Sequence, residues 1–222
     1  MTVLLWCLCA FLMGSIPFGL LLVKLAGKGD VRAHGSGNIG ATNVSRVGGK
    51  GLGVLTLLLD AAKGFAPVCL AVNQPFPHDL CAAIALCAVA GHVFTPWLGF
   101  KGGKGVATAV GAALAYRWMA VLPSLTAFIL LLAIFRRVSL GSVIGAAILP
   151  IAMAWPQQTT HGASFLGVKV ELATKTQDPW QATLFWALLA LLILVKHQAN
   201  IRRLLDGTEP PLWGAKKESA DA

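Results

Sequence analysis

The sequence predicts an all-α integral membrane protein: a bundle of seven transmembrane helices, amino terminus outside and carboxy terminus in the cytoplasm. Three observations predict it. Hydrophobic residues make up 56% of the 222-residue chain and charged residues 12%, against roughly 25% charged in an ordinary soluble domain, and mean hydropathy is +0.72. Apolar runs recur along the chain, and at about 20 residues per crossing it has room for six or seven spans and no separate soluble domain. Lys and Arg crowd into alternate loops, the asymmetry that orients membrane helices.

The first run, residues 3–23, has no basic residue before it, unlike a secretory signal peptide, so it is read as a retained span. Pro17, inside Gly14-Ser-Ile-Pro-Phe-Gly19, kinks it. Lys24, Lys28 and Arg32 follow at once and put residues 24–50 in the cytoplasm. Residues 52–72 form the second span, with Asp60 and Lys63 one turn apart and read as a structural ion pair. The loop Asn73 to Asp79 lacks Lys and Arg, as an outside loop should. Residues 80–96 return inward as the third span, where His92 is read as a packed, hydrogen-bonded side chain.

Residues 105–116 and 119–135 make the fourth and fifth spans, the former short, with Arg117 and Trp118 at its outer end. Residues 140–156 and 180–196 are the sixth and seventh, separated by a polar outside stretch, 157–179, to which no role is assigned. A single membrane-embedded domain covers 1–209, and 210–222 reads as a disordered cytoplasmic tail. The five cysteines lie in apolar segments without metal-ligand spacing. The net charge of +9 is accounted for by topology and bilayer contact, without nucleic acid.

With so few residues outside the bilayer, the loops must carry the function. The most distinctive is Gly99-Phe-Lys-Gly-Gly-Lys-Gly-Val-Ala-Thr108, where glycine backbone NH groups lie beside Lys101 and Lys104. NH donors and ammonium groups together suit a phosphate oxygen. It is no nucleotide P-loop, because Gly105 stands where a magnesium-binding Ser or Thr belongs. The simpler reading of this loop alone is a flexible basic turn. The first cytoplasmic loop, Gly35-Ser-Gly-Asn-Ile-Gly-Ala-Thr-Asn43 with Arg46 and Gly48-Gly-Lys-Gly51, offers a second anion site, or else a turn with a helix cap. Gly-Gly-Lys-Gly thus occurs twice, each time running into an apolar segment, so each copy can aim a helix amino terminus at a negative group. Arg136 to Ser142 is a third basic turn bearing hydroxyls, with Ser139 a candidate cap. After the last span, His197 and Asn200 share one helix face.

The first loop, the segment from Gly91-His-Val-Phe to Gly-Gly-Lys-Gly-Val-Ala-Thr108, and His197-x-x-Asn200-Ile-x-Arg-Leu resemble the three signature motifs of the bacterial acyl-phosphate:glycerol-3-phosphate acyltransferases, the PlsY family. The resemblance covers nearly the whole chain. It implies transfer of a fatty acyl group from acyl phosphate to the 1-hydroxyl of sn-glycerol 3-phosphate, giving lysophosphatidic acid and phosphate, the first step of phospholipid synthesis. It also implies a multi-pass protein of the bacterial inner membrane, with its active site on the cytoplasmic face, no cofactor or metal, and work beside the enzyme that makes acyl phosphate. On matching positions, Ser36, Arg46, Lys104, His197 and Asn200 would be catalytic. Asn38, Thr42, Asn43, Gly102, Gly103, Gly105 and Ser142 would bind substrate, and Glu209 would be structural. The base is either His197 or the substrate's own phosphate. Two other classes weigh against this: an anion transporter, for which paired interrupted helices at mid-membrane are missing, and acyltransferases with Asp five positions after His, a spacing that none of the five histidines has.

Overall fold

The computed structural model describes residues 2–155, 163–165, 168–170 and 180–212. Helix α1 (Thr2–Ser15) and helix α2 (Phe18–Leu25) are one apolar run broken at Ile16-Pro17, where proline cannot donate a helical hydrogen bond. A glycine-rich loop leads to α3 (Ala41–Gly48), then α4 (Lys50–Val72) and α5 (His78–Val93). After the second glycine-rich loop come α6 (Val106–Phe135) and α7 (Val138–Ala154), and the chain ends in α8 (Trp180–Lys196) and α9 (Gln198–Leu205), which meet at a 61° bend.

Glycine decides which helices touch. A Cβ on Gly111 of α6 would lie 1.9 Å from the Ala61 carbonyl oxygen of α4, and one on Gly64 of α4 would lie 2.0 Å from that of Thr108. Helices α1 and α5 repeat the pattern, Gly14 against Ala88 and Gly91 against Phe11. With lipid as solvent, such close backbone approach supplies the packing that water would otherwise drive. The core between these helices is rich in small residues, with Ala85, Ala88, Ala112 and Ala113 fully buried, and Trp186 of α8 filling its width. Large side chains such as Leu58, Ile129, Leu130, Ile134, Ile151 and Leu191 point outward, as lipid-facing residues do.

Among the described residues, four helical segments have the length and apolarity of a membrane crossing: Thr2–Leu25, Lys50–Val72, His78–Leu98 and Val106–Phe135. The bent α8–α9 pair makes a fifth, and α7 is apolar but shorter. Where the sequence divides residues 105–135 into two spans, α6 is one element with a break inside it. Arg117 has φ −158° and ψ 85°, so two helical rods meet there. Its guanidinium donates to the Met153 carbonyl at 2.9 Å, satisfying one of the orphan acceptors at the end of α7. The fold is all-α as expected, with one small addition outside the helices: β1 (Ala163–Phe165) and β2 (Val168–Val170) pair antiparallel, Ser164 opposite Lys169. The remainder of the 157–179 stretch and residues 213–222 of the expected tail lie outside the described residues.

Replacing Gly111 with Val should lower the apparent melting midpoint of the detergent-purified protein by about 5 °C or more. Gly51→Ala, where nothing lies within 4 Å of the new methyl, should leave it within about 1–2 °C. Equal midpoints for the two would contradict the close α4–α6 contact.

Candidate active site

The two glycine-rich loops, the start of α7 and the α8–α9 bend meet at one cavity of about 450 Å³. In the first loop, Asn43 is the organiser. Its side-chain amide donates to the carbonyls of Val31, His34 and Asn38 at 2.9–3.1 Å, and its Oδ1 accepts from the Ser36 backbone NH at 2.9 Å. An extended-to-turn path of this kind cannot satisfy its own carbonyls, so one buried amide takes three of them. Asn38 Oδ1 accepts from Gly40 NH at 2.8 Å, turning the chain into α3. Ser36, Thr42 and Arg46 then face the cavity, as do the first residues of α3.

The second loop behaves differently from the sequence expectation. Gly102 NH donates to the Val93 carbonyl at 3.0 Å and Gly103 NH to that of His92 at 3.1 Å. Both NH groups are therefore spent on holding the loop to the end of α5, and neither glycine lines the cavity. Gly105 does line it, in a left-handed conformation (φ 85°) that lets the chain turn into α6. Lys104, Gly105, Val106 and Ala107 all reach the cavity, so the start of α6 faces it as the start of α3 does.

Lys104 Nζ donates to Asn200 Oδ1 at 2.5 Å; the Asn200 amide in turn donates to Glu209 Oε1 at 2.7 Å, and Arg203 Nε donates to Glu209 Oε2 at 2.7 Å. Asn200 does not line the cavity itself but orients the lysine that does. Burial pushes the Lys104 ammonium down to about 8; Glu209 pulls the other way, while Arg203 and Arg46 add to the lowering. Burial acts to raise Glu209, yet Ser139, Asn200 and Arg203 outweigh it and hold the carboxylate below its ordinary value.

His197 sits at the bend, beyond the end of α8. Its Nδ1 lies 2.8 Å from the Ile193 carbonyl, which fixes the tautomer with the proton on Nδ1 and leaves Nε2 a lone pair. Burial pushes the imidazole down to about 4; the Ile193 carbonyl opposes this, and Lys104 adds to it. Ser142 lines the cavity, and its Oγ donates to the Val138 carbonyl at 2.9 Å.

Of the residues singled out in the sequence, Ser36, Asn38, Thr42, Asn43, Arg46, Lys104, Gly105, Ser142 and His197 share this one cavity. Sequence reasoning missed cavity roles for Asp60, His92, Ser139 and Glu209, and for Pro210 and Leu212. Leu212 NH donates to the Arg136 carbonyl at 2.7 Å, so ordered packing runs at least three residues past the expected boundary at 209. The family resemblance gives Glu209 only a structural role. Much of the rest of its lining is apolar, including Ala109, Val110, Leu125, Phe128 and Ala146, and it takes in the outward-facing Leu57 and Leu58 of α4.

Residues 4–207 match the family model described as glycerol-3-phosphate acyltransferase. The chain belongs to that family. The glycerol-3-phosphate acyltransferase of Trichlorobacter lovleyi is 45% identical over 206 residues, covering 93% of this chain and 95% of the relative. That of Geobacter sulfurreducens is 44% identical over 200 residues, 90% and 92% of the two chains. The crystal structure of PlsY, an integral membrane glycerol 3-phosphate acyltransferase, superposes in its glycerol 3-phosphate form with a TM-score of 0.81 at 35% identity, covering 96% of both chains. Its lysophosphatidic acid form gives 0.76 over 95% of each. Membership of the acyltransferase family makes this chain an integral membrane enzyme.

Because Lys104 is held down to about 8, its ammonium form is full below that pH and lost above it. The kcat/KM profile, which reports groups of the free enzyme, should fall as pH rises through about 8. Lys104→Arg, whose guanidinium stays protonated, should carry the fall to higher pH. A fall that Lys104→Arg leaves in place would contradict the assignment.

Proposed function

We propose that the chain transfers a fatty acyl group from acyl phosphate to the 1-hydroxyl of sn-glycerol 3-phosphate, giving 1-acyl-sn-glycerol 3-phosphate and inorganic phosphate. The observation that carries this reading is the cavity's two-part character. Ser36, Arg46, Lys104 and two helix starts line one end, and an apolar limb leads to lipid-facing leucines at the other. Two phosphate groups of nearly two negative charges each fit the first part, and an acyl chain still partly in the bilayer fits the second.

Acyl phosphate is a mixed anhydride and needs no covalent enzyme intermediate. The substrate hydroxyl oxygen attacks the acyl carbonyl carbon, the bond from that carbon to the phosphate oxygen breaks, and phosphate leaves with the electron pair. Arg46 and Lys104 offset the charge that gathers on the departing oxygens, and the loops hold the two substrates together. The hydroxyl proton goes to a substrate phosphate, whose second pKa near 6 lets it act as the acceptor. His197 then accepts a hydrogen bond at Nε2 and orients the glycerol hydroxyl, together with Ser142. Asn200 holds Lys104 in reach, and Asn38, Thr42, Asn43 and Gly105 shape the phosphate sites.

Seven crossings follow if the two rods of α6 and the shorter α7 each span. Lys24, Lys28, Arg32, Arg46, Lys101, Lys104, Arg136, Arg137, Arg202 and Arg203 then share the cytoplasmic face of a bacterial inner membrane. The amino terminus is outside, and the site opens toward the enzyme that supplies acyl phosphate.

Purified protein given acyl phosphate and glycerol 3-phosphate, without nucleotide or metal, should form lysophosphatidic acid, while acyl-CoA and acyl carrier protein thioesters should not replace the donor. Equal product from a thioester would overturn the donor assignment. His197→Ala should raise KM for glycerol 3-phosphate yet keep turnover at saturation; complete loss from a folded variant would instead make His197 the base.

A further inference from the structure

Beside the Gly102–Gly105 loop stands a cluster of ionisable groups, of which Asp60 and His92 also line the cavity. Asp60, Lys63 and His92 are 2%, 4% and 4% exposed. Lys63 Nζ lies 2.7 Å from Asp60 Oδ1 and donates to the Ile16 carbonyl at 2.7 Å, at the break between α1 and α2. His92 Nδ1 lies 3.7 Å from the same Asp60 oxygen. The other side of the ring abuts Gly103 so tightly that a Cβ there would sit 2.1 Å from His92 Nε2. The loop backbone is fastened beside it by the Gly102 and Gly103 NH bonds to the Val93 and His92 carbonyls.

Such a cluster is a poor way to gain stability. Ionisable groups inside the membrane are costly, and well-packed apolar side chains of similar volume often hold a fold as well or better than a buried ion pair. Its place explains it better. One end grips the carbonyl at the proline break, and the other end is the surface on which Gly103 rests, one residue before Lys104.

We propose that Asp60, Lys63 and His92 are positioning residues for acyl transfer, acting through Lys104. The Asp60–Lys63 pair, anchored on the Ile16 carbonyl, places a carboxylate 3.7 Å from the His92 imidazole and holds it by charge and packing. That imidazole sets the height of Gly103, and the loop in turn carries Lys104 to Asn200 and the phosphate end of the cavity. Glycine is required at position 103 because the imidazole occupies the space a side chain would need. This inference rests on the reading of Lys104 as a substrate cation.

Initial rates of lysophosphatidic acid formation from acyl phosphate and glycerol 3-phosphate test it on purified full-length variants. His92→Ala should lose about tenfold or more in kcat/KM, divided between kcat and KM as in Lys104→Met; made in a Lys104→Met background, it should cost less than about twofold more. Gly103→Ala should be strongly impaired alone, and Gly103→Ala combined with His92→Ala should be more active than either single variant, because the methyl takes the vacated space. Where His92→Ala does not elute as one species, His92→Gln is read in the same way. Losses that multiply in the Lys104→Met background, or a Gly103→Ala/His92→Ala variant no better than His92→Ala, would overturn the proposal. A fully active Lys104→Met would remove the cation reading beneath it, a result distinct from either of those.

Discussion

The hydrogen bond from Lys104 to Asn200 is the joint on which the site depends. It ties the loop before α6 to the helix after the last long span, across 96 residues of sequence. An ammonium this buried needs a partner, and Asn200 provides one without cancelling the charge. Beyond it, Glu209 takes the asparagine amide and the Arg203 guanidinium on its two oxygens. The carboxylate thus compensates the local positive charge without touching the ammonium directly. Direct pairing of Lys104 with a carboxylate would neutralise the ammonium, and the intervening amide avoids this.

Around that joint the membrane dictates the rest. Backbone groups that leave a helix inside the bilayer must find partners within the protein, and each break here has one. The Ile16 carbonyl takes Lys63, the Ser15 carbonyl takes the Thr95 hydroxyl at 2.6 Å, and the Met153 carbonyl takes Arg117. The side chains that repair these breaks connect helices as well. Thr95 and Trp97, whose indole donates to Ser15 Oγ at 2.8 Å, fasten the approach to the second loop onto the first helix. The glycine contacts of α4 with α6 and of α1 with α5 hold the scaffold rigid, so the loops between them meet at one place.

The sequence made the loops legible because glycine, hydroxyl and cationic residues are rare in a chain this apolar, and their clustering outside the spans leaves few other purposes. Ser36, Arg46, Lys104 and His197 come together as that density implies. What the sequence could not reveal was which donors were already used. Gly102 and Gly103 look like free backbone donors until α5 is seen to take both, and Asn43 reads as a ligand contact until three loop carbonyls converge on it. The break at Arg117 was visible as a charged residue between two apolar runs, but its backbone geometry and its role at the end of α7 depend on tertiary contact. Pro210 and Leu212 were read as tail because composition alone does not register a strand of chain packed against a cavity wall.

The central claim is that cations from separate loops grip one anion at the membrane boundary. Calorimetric titration of glycerol 3-phosphate into the detergent-purified protein, the Arg46→Met and Lys104→Met variants, and the variant carrying both tests it most directly. One saturable site is expected in the unaltered protein, weakened by each substitution, with the second costing much less once the first is present. Undiminished binding in the variant lacking both cations would contradict it.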